Sequence, residues 1–303
     1  MRRVELAPGI YHLQSGSNIG LVVSAGRALL IDAGLDDDAG RRALRAVEAE
    51  GAQLEAIVVT HAHADHFGGA RFLQRRLGVP VYAPRLEAAM MENPIIEPLY
   101  LFGGAAPIKD LRSKFTLAEP CTVTHILEPG YLEIGPFELE VVPLPGHAPN
   151  QVGVGVGDGG GRGVLFCADA VFPQDTIDKH KVLFCFDLDE MIQTIDELPA
   201  RGYGTFAPGH GPAYAAGEHI REICEANRAR LEEVREAVHG ALGEPRVTSA
   251  LVQHVAEHFG LRITTPVAYY LTRTTVLAAL SSLEGTGEAV AVTDANRVAW
   301  RMA

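Results

Sequence analysis

The sequence predicts an α/β protein with one large domain, residues 1–240, and a small second domain, residues 241–303. Three observations predict it. Short apolar runs of strand character alternate with amphipathic helical stretches through the first part of the chain. At 303 residues, 47% hydrophobic and 21% charged, the chain can bury a substantial core. Beyond about Gly240 the pattern changes to two helical stretches and a final pair of strands.

Taken in order, residues 9–13, 19–23 and 28–31 read as strands separated by Gly and Ser turns, the third ending at Asp32-Ala33-Gly34. Residues 39–50 read as an amphipathic helix, and the apolar run 56–59 as a short buried strand. A helix at 70–77, a strand at 80–83 and a helix at 85–92 follow. Residues 93–121 are irregular, with Pro94, Pro98, Pro107 and Gly103-Gly104, and with Tyr100 and Phe102 expected to be exposed; such a stretch suits a pocket wall or a surface insertion. Strands resume at 131–134, 137–142, 152–156 and 163–167, with a hairpin turn at 158–161 that lacks the Lys-Ser/Thr of a phosphate loop. A helix at 189–198, a strand at 205–207 and a long helix at 218–239 complete the large domain. The second domain offers helices at 248–259 and 267–283 and strands at 288–292 and 298–302.

Composition excludes several function classes. No apolar run approaches the ~20 residues of a membrane span, and Met1-Arg2-Arg3-Val4-Glu5 is followed by no apolar signal segment. Cys121, Cys167, Cys185 and Cys224 are widely spaced, which fits reduced thiols and a cytoplasmic protein better than a disulfide framework. A net charge of −12 argues against broad affinity for nucleic acid or anionic membrane.

The chemistry concentrates in Thr60-His61-Ala62-His63-Ala64-Asp65-His66, which places three imidazoles and a carboxylate just after a buried strand. Imidazole with carboxylate suits zinc and related divalent metals. His61 and His63 alternate at period two, so their rings converge if the backbone stays extended; Asp65 and His66 can turn toward a second point. His147, Asp169 and His210 each lie where a strand ends, the two histidines directly after a glycine. Each of these is weak alone, and the order of all four segments carries the signal.

These segments resemble the metallo-β-lactamase-fold hydrolases. The resemblance covers residues 1 to about 240 through Asp32-Ala33-Gly34, His61-Ala62-His63-Ala64-Asp65-His66, Gly146-His147, Asp169 and Gly209-His210-Gly211. It implies an αββα sandwich with the metal centre at one sheet edge. It further implies that His61, His63 and His147 hold a first metal, that Asp65, His66 and His210 hold a second, and that Asp169 bridges them. Asp32 orients a ligand from behind, and Asp65 and Asp169 position the attacking hydroxide. The cofactor is then a pair of divalent ions, zinc first, with iron or manganese as alternatives. Ala168 stands where the family has Gly, and Ala148 and Asn150-Gln151 replace Thr and Gly-Ser, which implies a changed pocket shape with every ligand kept. The bridging carboxylate points to the branch resembling glyoxalase II, lactonases and metallo-ribonucleases rather than true β-lactamases. His63 stands where flavodiiron proteins have Glu.

The reading is a dinuclear hydrolase of a small ester, thioester or lactone. It needs no Ser or Cys nucleophile, and Cys167 reads as a buried strand residue. Alternatives are a single-strand endoribonuclease, a persulfide dioxygenase-like iron enzyme and a non-enzymatic winged-helix regulator. The C-terminal region resembles a winged helix, and the whole resembles the lactamase-beta-like type that carries one; Asn227-Arg228 echoes a pattern of that type. Five arginines from Gly240 onward are matched by five acids, so the region lacks the basic footprint of phosphate binding. Packing, including a homodimer, is favoured there over nucleic acid. Lys179, His180 and Lys181 read as a solvated loop, with contact to an anionic substrate as the alternative.

Overall fold

The computed structural model of the chain describes residues 1–157 and 159–303; Asp158, in the expected 158–161 turn, lies outside the described residues. Two sheets face each other. The first has strands β1 (Arg2–Ala7), β2 (Ile10–Gln14), β3 (Ile19–Ser24), β4 (Arg27–Ile31), β5 (Gln53–Val58), β6 (Val81–Pro84) and β7 (His125–Leu127) in that spatial order. It is antiparallel through β4 and parallel from β4 to β7. The second has β8 (Gly130–Ile134), β9 (Phe137–Pro143), β10 (Val152–Val156), β11 (Val164–Ala168), β12 (Thr205–Pro208) and β13 (Tyr214–Ala215), with β11 and β12 parallel.

Alternation along the strands builds the layers. In β4, Leu29 and Ile31 point between the sheets, where they join Val152, Val154, Val156 and Phe166 in one apolar cluster. Ala28 and Leu30 point the other way and meet Ala43, Leu44 and Val47 of helix α1 (Asp37–Ala49). A strand covered on both faces must be apolar at every position, and β4 reads Ala-Leu-Leu-Ile after its first residue. That outer layer also holds α2 (Ala64–Phe67), α3 (Ala70–Leu77), α4 (Arg85–Glu92) and α5 (Ile96–Leu101). On the far side, Leu165 and Cys167 of β11 pack with α6 (Gln174–His180), α7 (Leu188–Glu197) and α8 (Glu218–Gly240). The result is the αββα sandwich.

After α8 come α9 (Thr248–His258), α10 (Pro266–Gly285) and the hairpin of β14 (Ala289–Asp294) with β15 (Arg297–Met302). Val276, Leu280 and Leu283 of α10 belong to the same buried cluster as Val142 and Leu165 of the second sheet. Thr275 Oγ1 donates to the Leu183 carbonyl at 2.9 Å and accepts from the Cys185 amide at 3.2 Å, fastening α10 to the segment after α6.

Several elements depart from the sequence reading. Strands β1, β7 and β13 lie at or next to sheet edges; β1 carries Arg2, Arg3 and Glu5, and such polar strands lack the apolar signature. Residues 93–121 contain α5, and Tyr100 and Phe102 are half-buried rather than exposed; Phe102 packs edge-on to Tyr270 of α10 at 5.4 Å. Lys179 and His180 form the last turn of α6 rather than a loop. All four cysteines are buried and unpaired, Cys167 within β11. Among the described residues no helix is long and apolar enough to cross a membrane.

Candidate metal centre

The seven expected side chains converge at the ends of the strands of both sheets. Helical structure begins only after His63, so residues 61–63 stay non-helical and the His61 and His63 rings lie 4.7 Å apart, edge to face. Asp65 and His66 then turn with α2. His147 follows β9, Asp169 follows β11, and His210 follows β12. Ligand atoms of His61, His63 and His147 all lie within 4.8 Å of one another, as do those of Asp65, His66 and His210 and those of His61, His66 and Asp169. Asp169 lies between the groups: its Oδ1 is 3.4 Å from His66 Nε2, and its Oδ2 is 3.4 Å from His147 Nε2 and 3.3 Å from His210 Nε2.

The partners behind the rings fix which nitrogen faces inward. A carbonyl can only accept, so His147 Nδ1 donates to Phe184 O at 3.2 Å and His210 Nδ1 to Gly16 O at 2.7 Å. His66 Nδ1 donates to Asp32 Oδ2 at 2.8 Å. Thr60 Oγ1 donates to the same carboxylate at 3.0 Å and therefore accepts from His61 Nδ1 at 3.1 Å. In all four rings Nε2 points into the site, the arrangement by which outer partners orient metal ligands. Three inward atoms, His61 Nε2, His66 Nε2 and Asp169 Oδ1, are buried without a hydrogen-bond partner. A buried polar atom without a partner costs about 1–3 kcal/mol. Three around one point fit cations there.

Asp32 sits at φ +64°, a left-handed conformation that turns its carboxylate back to the Thr60 amide, Thr60 Oγ1 and His66. Gly209 is required by closeness: a Cβ there meets Asp169 Oδ1 at 2.2 Å and His66 Cε1 at 2.6 Å. Ala168 adopts φ +48°, the conformation that makes glycine the easier residue before Asp169.

Sequence reasoning missed four supports. Glu87 of α4, fully buried, accepts from the Ala62 amide at 2.8 Å and the Asn150 amide at 2.9 Å, tying the loop of His61 and His63 to that of His147. Burial pushes its carboxyl up to about 6 against those two hydrogen bonds. Ser17 Oγ donates to Asp65 Oδ2 at 2.6 Å. Asn18 Nδ2 donates to Pro208 O and Gly211 O on either side of His210. Asn227, quoted for its resemblance alone, is fully buried and exchanges hydrogen bonds with the Phe172 backbone, whose ring stacks over His210 at 6.0 Å. Each support acts across at least 25 residues of sequence, beyond any local signal.

The electrostatics divide the site. Burial holds His61 well below its ordinary value, burial and neighbouring His147 bring His63 down to about 3, and burial also lowers His147. Burial opposes charge on His66 and His210 too, but the carboxylates outweigh it: Asp169, Asp65 and Asp32 hold His66 well above its ordinary value, and Asp169 lifts His210 to about 9. Asp169, although buried, is held well below the carboxylate range by His210 and His66.

The site opens into a cleft of about 1090 Å³ whose walls include Asp65, His147, Asp169 and His210 together with Lys114, Phe115, Lys179, Phe184, Leu261 and Leu271.

An αββα sandwich with histidines and aspartates gathered at its strand ends defines a metal-dependent hydrolase. The family model of the metallo-beta-lactamase superfamily matches residues 13–210, and the chain belongs to that superfamily. It is 25% identical over 202 residues to the probable metallo-hydrolase YqgX of Bacillus subtilis, a match covering 65% of this chain and 85% of that protein. It is 30% identical over 145 residues to a hydroxyacylglutathione hydrolase of Albidiferax ferrireducens, covering 48% of this chain and 44% of that one. The crystal structure of a metallo-beta-lactamase family protein from Thermus thermophilus superposes with a TM-score of 0.74 at 22% identity, over 99% of this chain and 100% of that one, a likeness of fold that extends through the C-terminal region.

Proposed function

We propose that this hydrolase is dinuclear and acts on a small ester, thioester or lactone. The observation that carries it is the convergence of seven ligand-type side chains, with three buried ligand atoms that lack a hydrogen-bond partner among the described residues. In this reading His61, His63 and His147 would hold one cation, Asp65, His66 and His210 would hold the other, and Asp169 would serve both. The donor set of imidazole and carboxylate suits zinc. Cations held there would supply Lewis acidity, lowering the pKa of water from about 15.7 toward 7 and polarising the substrate's carbonyl oxygen.

The chain's own residues do the rest. Asp169 and Asp65, held as carboxylates, orient the attacking water, and Ser17 fixes Asp65 from outside. Asp32 and Thr60 hold His66 and His61 in the tautomers that present Nε2. In the net reaction the acyl–oxygen or acyl–sulfur bond breaks, the water oxygen ends on the acyl carbon, and a proton passes to the departing alcohol or thiol. The test is metal analysis of the purified chain together with a panel of esters, thioesters and lactones. Two equivalents of metal and turnover of at least one class are expected; two metals with no turnover across the panel overturn the reading.

A further inference from the structure

The lining of the cleft over the centre combines apolar and charged groups. The apolar part starts at the metal-site histidines: the Phe184 ring lies 5.3 Å from His63 and 5.5 Å from His147. Buried Leu183 extends it, half-buried Leu261 and Leu271 of the C-terminal region continue it, and Phe115, 61% exposed, stands on the same cleft. A phenylalanine left that open adds little to the core and offers its ring to whatever enters.

The same lining also carries charged groups that are not all paired. Of the cleft's peripheral acids, Asp36 pairs with Lys114 at 3.0 Å and Asp38 with Arg41 at 2.6 Å, whereas Asp175 accepts only the neutral Thr176 amide at 2.9 Å and keeps its charge. Arg42 and Lys179 line the same cleft and make no hydrogen bond or ion pair among the described residues. Two unpaired cations against the one unpaired peripheral carboxylate among the described residues, Asp175, leave a small positive surplus in a chain of net charge −12, which complements an anion.

We infer that the substrate is an acyl thioester or ester with an apolar acyl chain lying along Phe184, Leu271 and Phe115 and an anionic leaving group held by Arg42 and Lys179. The C-terminal region is then a specificity wall of the centre, which accounts for its neutral charge without nucleic acid. This inference rests on the hydrolase reading.

The test uses full-length metal-loaded protein and a series of thioesters from acetyl to decanoyl, each made with a neutral and a carboxylate-bearing thiol. In the parent protein kcat/KM is expected to rise about fourfold per methylene over the first several, the worth of a buried CH2. Leu271→Trp fills the wall and cuts the decanoyl-to-acetyl ratio about tenfold; Leu271→Ala, the gentler change should the tryptophan variant fail to fold, lowers the slope. The Arg42→Ala/Lys179→Ala double variant lowers the ratio of anionic to neutral thioester about fivefold. Calorimetric binding of decanoate, parent against Leu271→Trp, reads the wall without turnover and should weaken about tenfold. A chain-length profile that is flat in the parent, or a charge ratio untouched by the double variant, overturns the inference and leaves the hydrolase reading standing. Decanoate binding that Leu271→Trp weakens, with no thioester, ester or lactone turned over, overturns the hydrolase reading and keeps the wall as a binding site.

Discussion

The two halves of the centre hold the same side chain under opposite conditions. On the side of His61, His63 and His147, burial dominates and the imidazoles are neutral, His63 titrating down at about 3. On the side of His66 and His210, burial is outweighed by Asp169, Asp65 and Asp32, and His210 rises to about 9. Under the dinuclear reading proposed above, the first half would take a cation at neutral pH without losing protons, and the second would release protons to do so, because a ligating imidazole gives up the proton on its inward nitrogen. The bracing differs as well. Glu87 ties the first half together through two backbone amides, whereas the second hangs on Ser17, Asp32 and the Gly16 carbonyl.

The largest expected effect comes from the residue that joins the halves. Asp169→Ala removes the carboxylate lying between His66, His147 and His210. It should cost at least one metal equivalent and about a thousandfold in kcat/KM, the scale of losing a main electrostatic group at a reacting centre; metal analysis of the variant with full retention breaks the comparison. Next is Glu87→Ala, which leaves the Ala62 and Asn150 amides without their acceptor. At about 1–3 kcal/mol for each unpaired buried donor, about 3 kcal/mol of stability should be lost, and metal affinity should fall about tenfold in the first half only. Equal weakening at both positions, read from stepwise metal titration, makes the halves one unit.

The third is a pH profile of the metal-free chain. His210, raised to about 9, contributes stability that is complete below its unfolded value near 6.5 and is lost as pH rises toward 9. His63, lowered to about 3, contributes stability that is complete above about 6.5 and is lost as pH falls toward 3. Chemical denaturation should therefore show an optimum near pH 6.5, with a slope of up to about 1.4 kcal/mol per pH unit for each group. Metal should flatten the alkaline limb, and a profile that rises steadily to pH 9 contradicts the division. The smallest effect is Ala168→Gly: at φ +48° the alanine carries about 1–2 kcal/mol of strain, partly offset by glycine's greater unfolded freedom. A gain of about 0.5–1 kcal/mol in thermal unfolding is expected.

Much of the site was legible in the chain because its ligands come in short segments at strand ends. His61, His63, Asp65 and His66 share one loop, and His147, Asp169 and His210 are each flagged by position. The supports were not legible. Glu87 looks like an ordinary helix acid, and Ser17 like an ordinary turn residue; their roles depend on loops 25 to 63 residues away for one and 48 for the other. The fold followed the same division: the apolar strands β4, β5, β10 and β11 announced themselves, while the polar edge strand β1 and the half-buried helix α5 did not.

By itself, then, the sequence determined the ligand-bearing segments and the apolar strands, which are local properties of the chain, and the resemblance those segments carry implied the superfamily and its layer architecture. Only the tertiary structure decided how those groups behave. Protonation depends on which carboxylates come to lie beside which imidazoles, and the character of the cleft depends on α10 reaching the segment after α6, through Thr275 on Leu183 and Cys185. Those proximities join residues tens of positions apart, and they exist only once the two sheets have closed on each other.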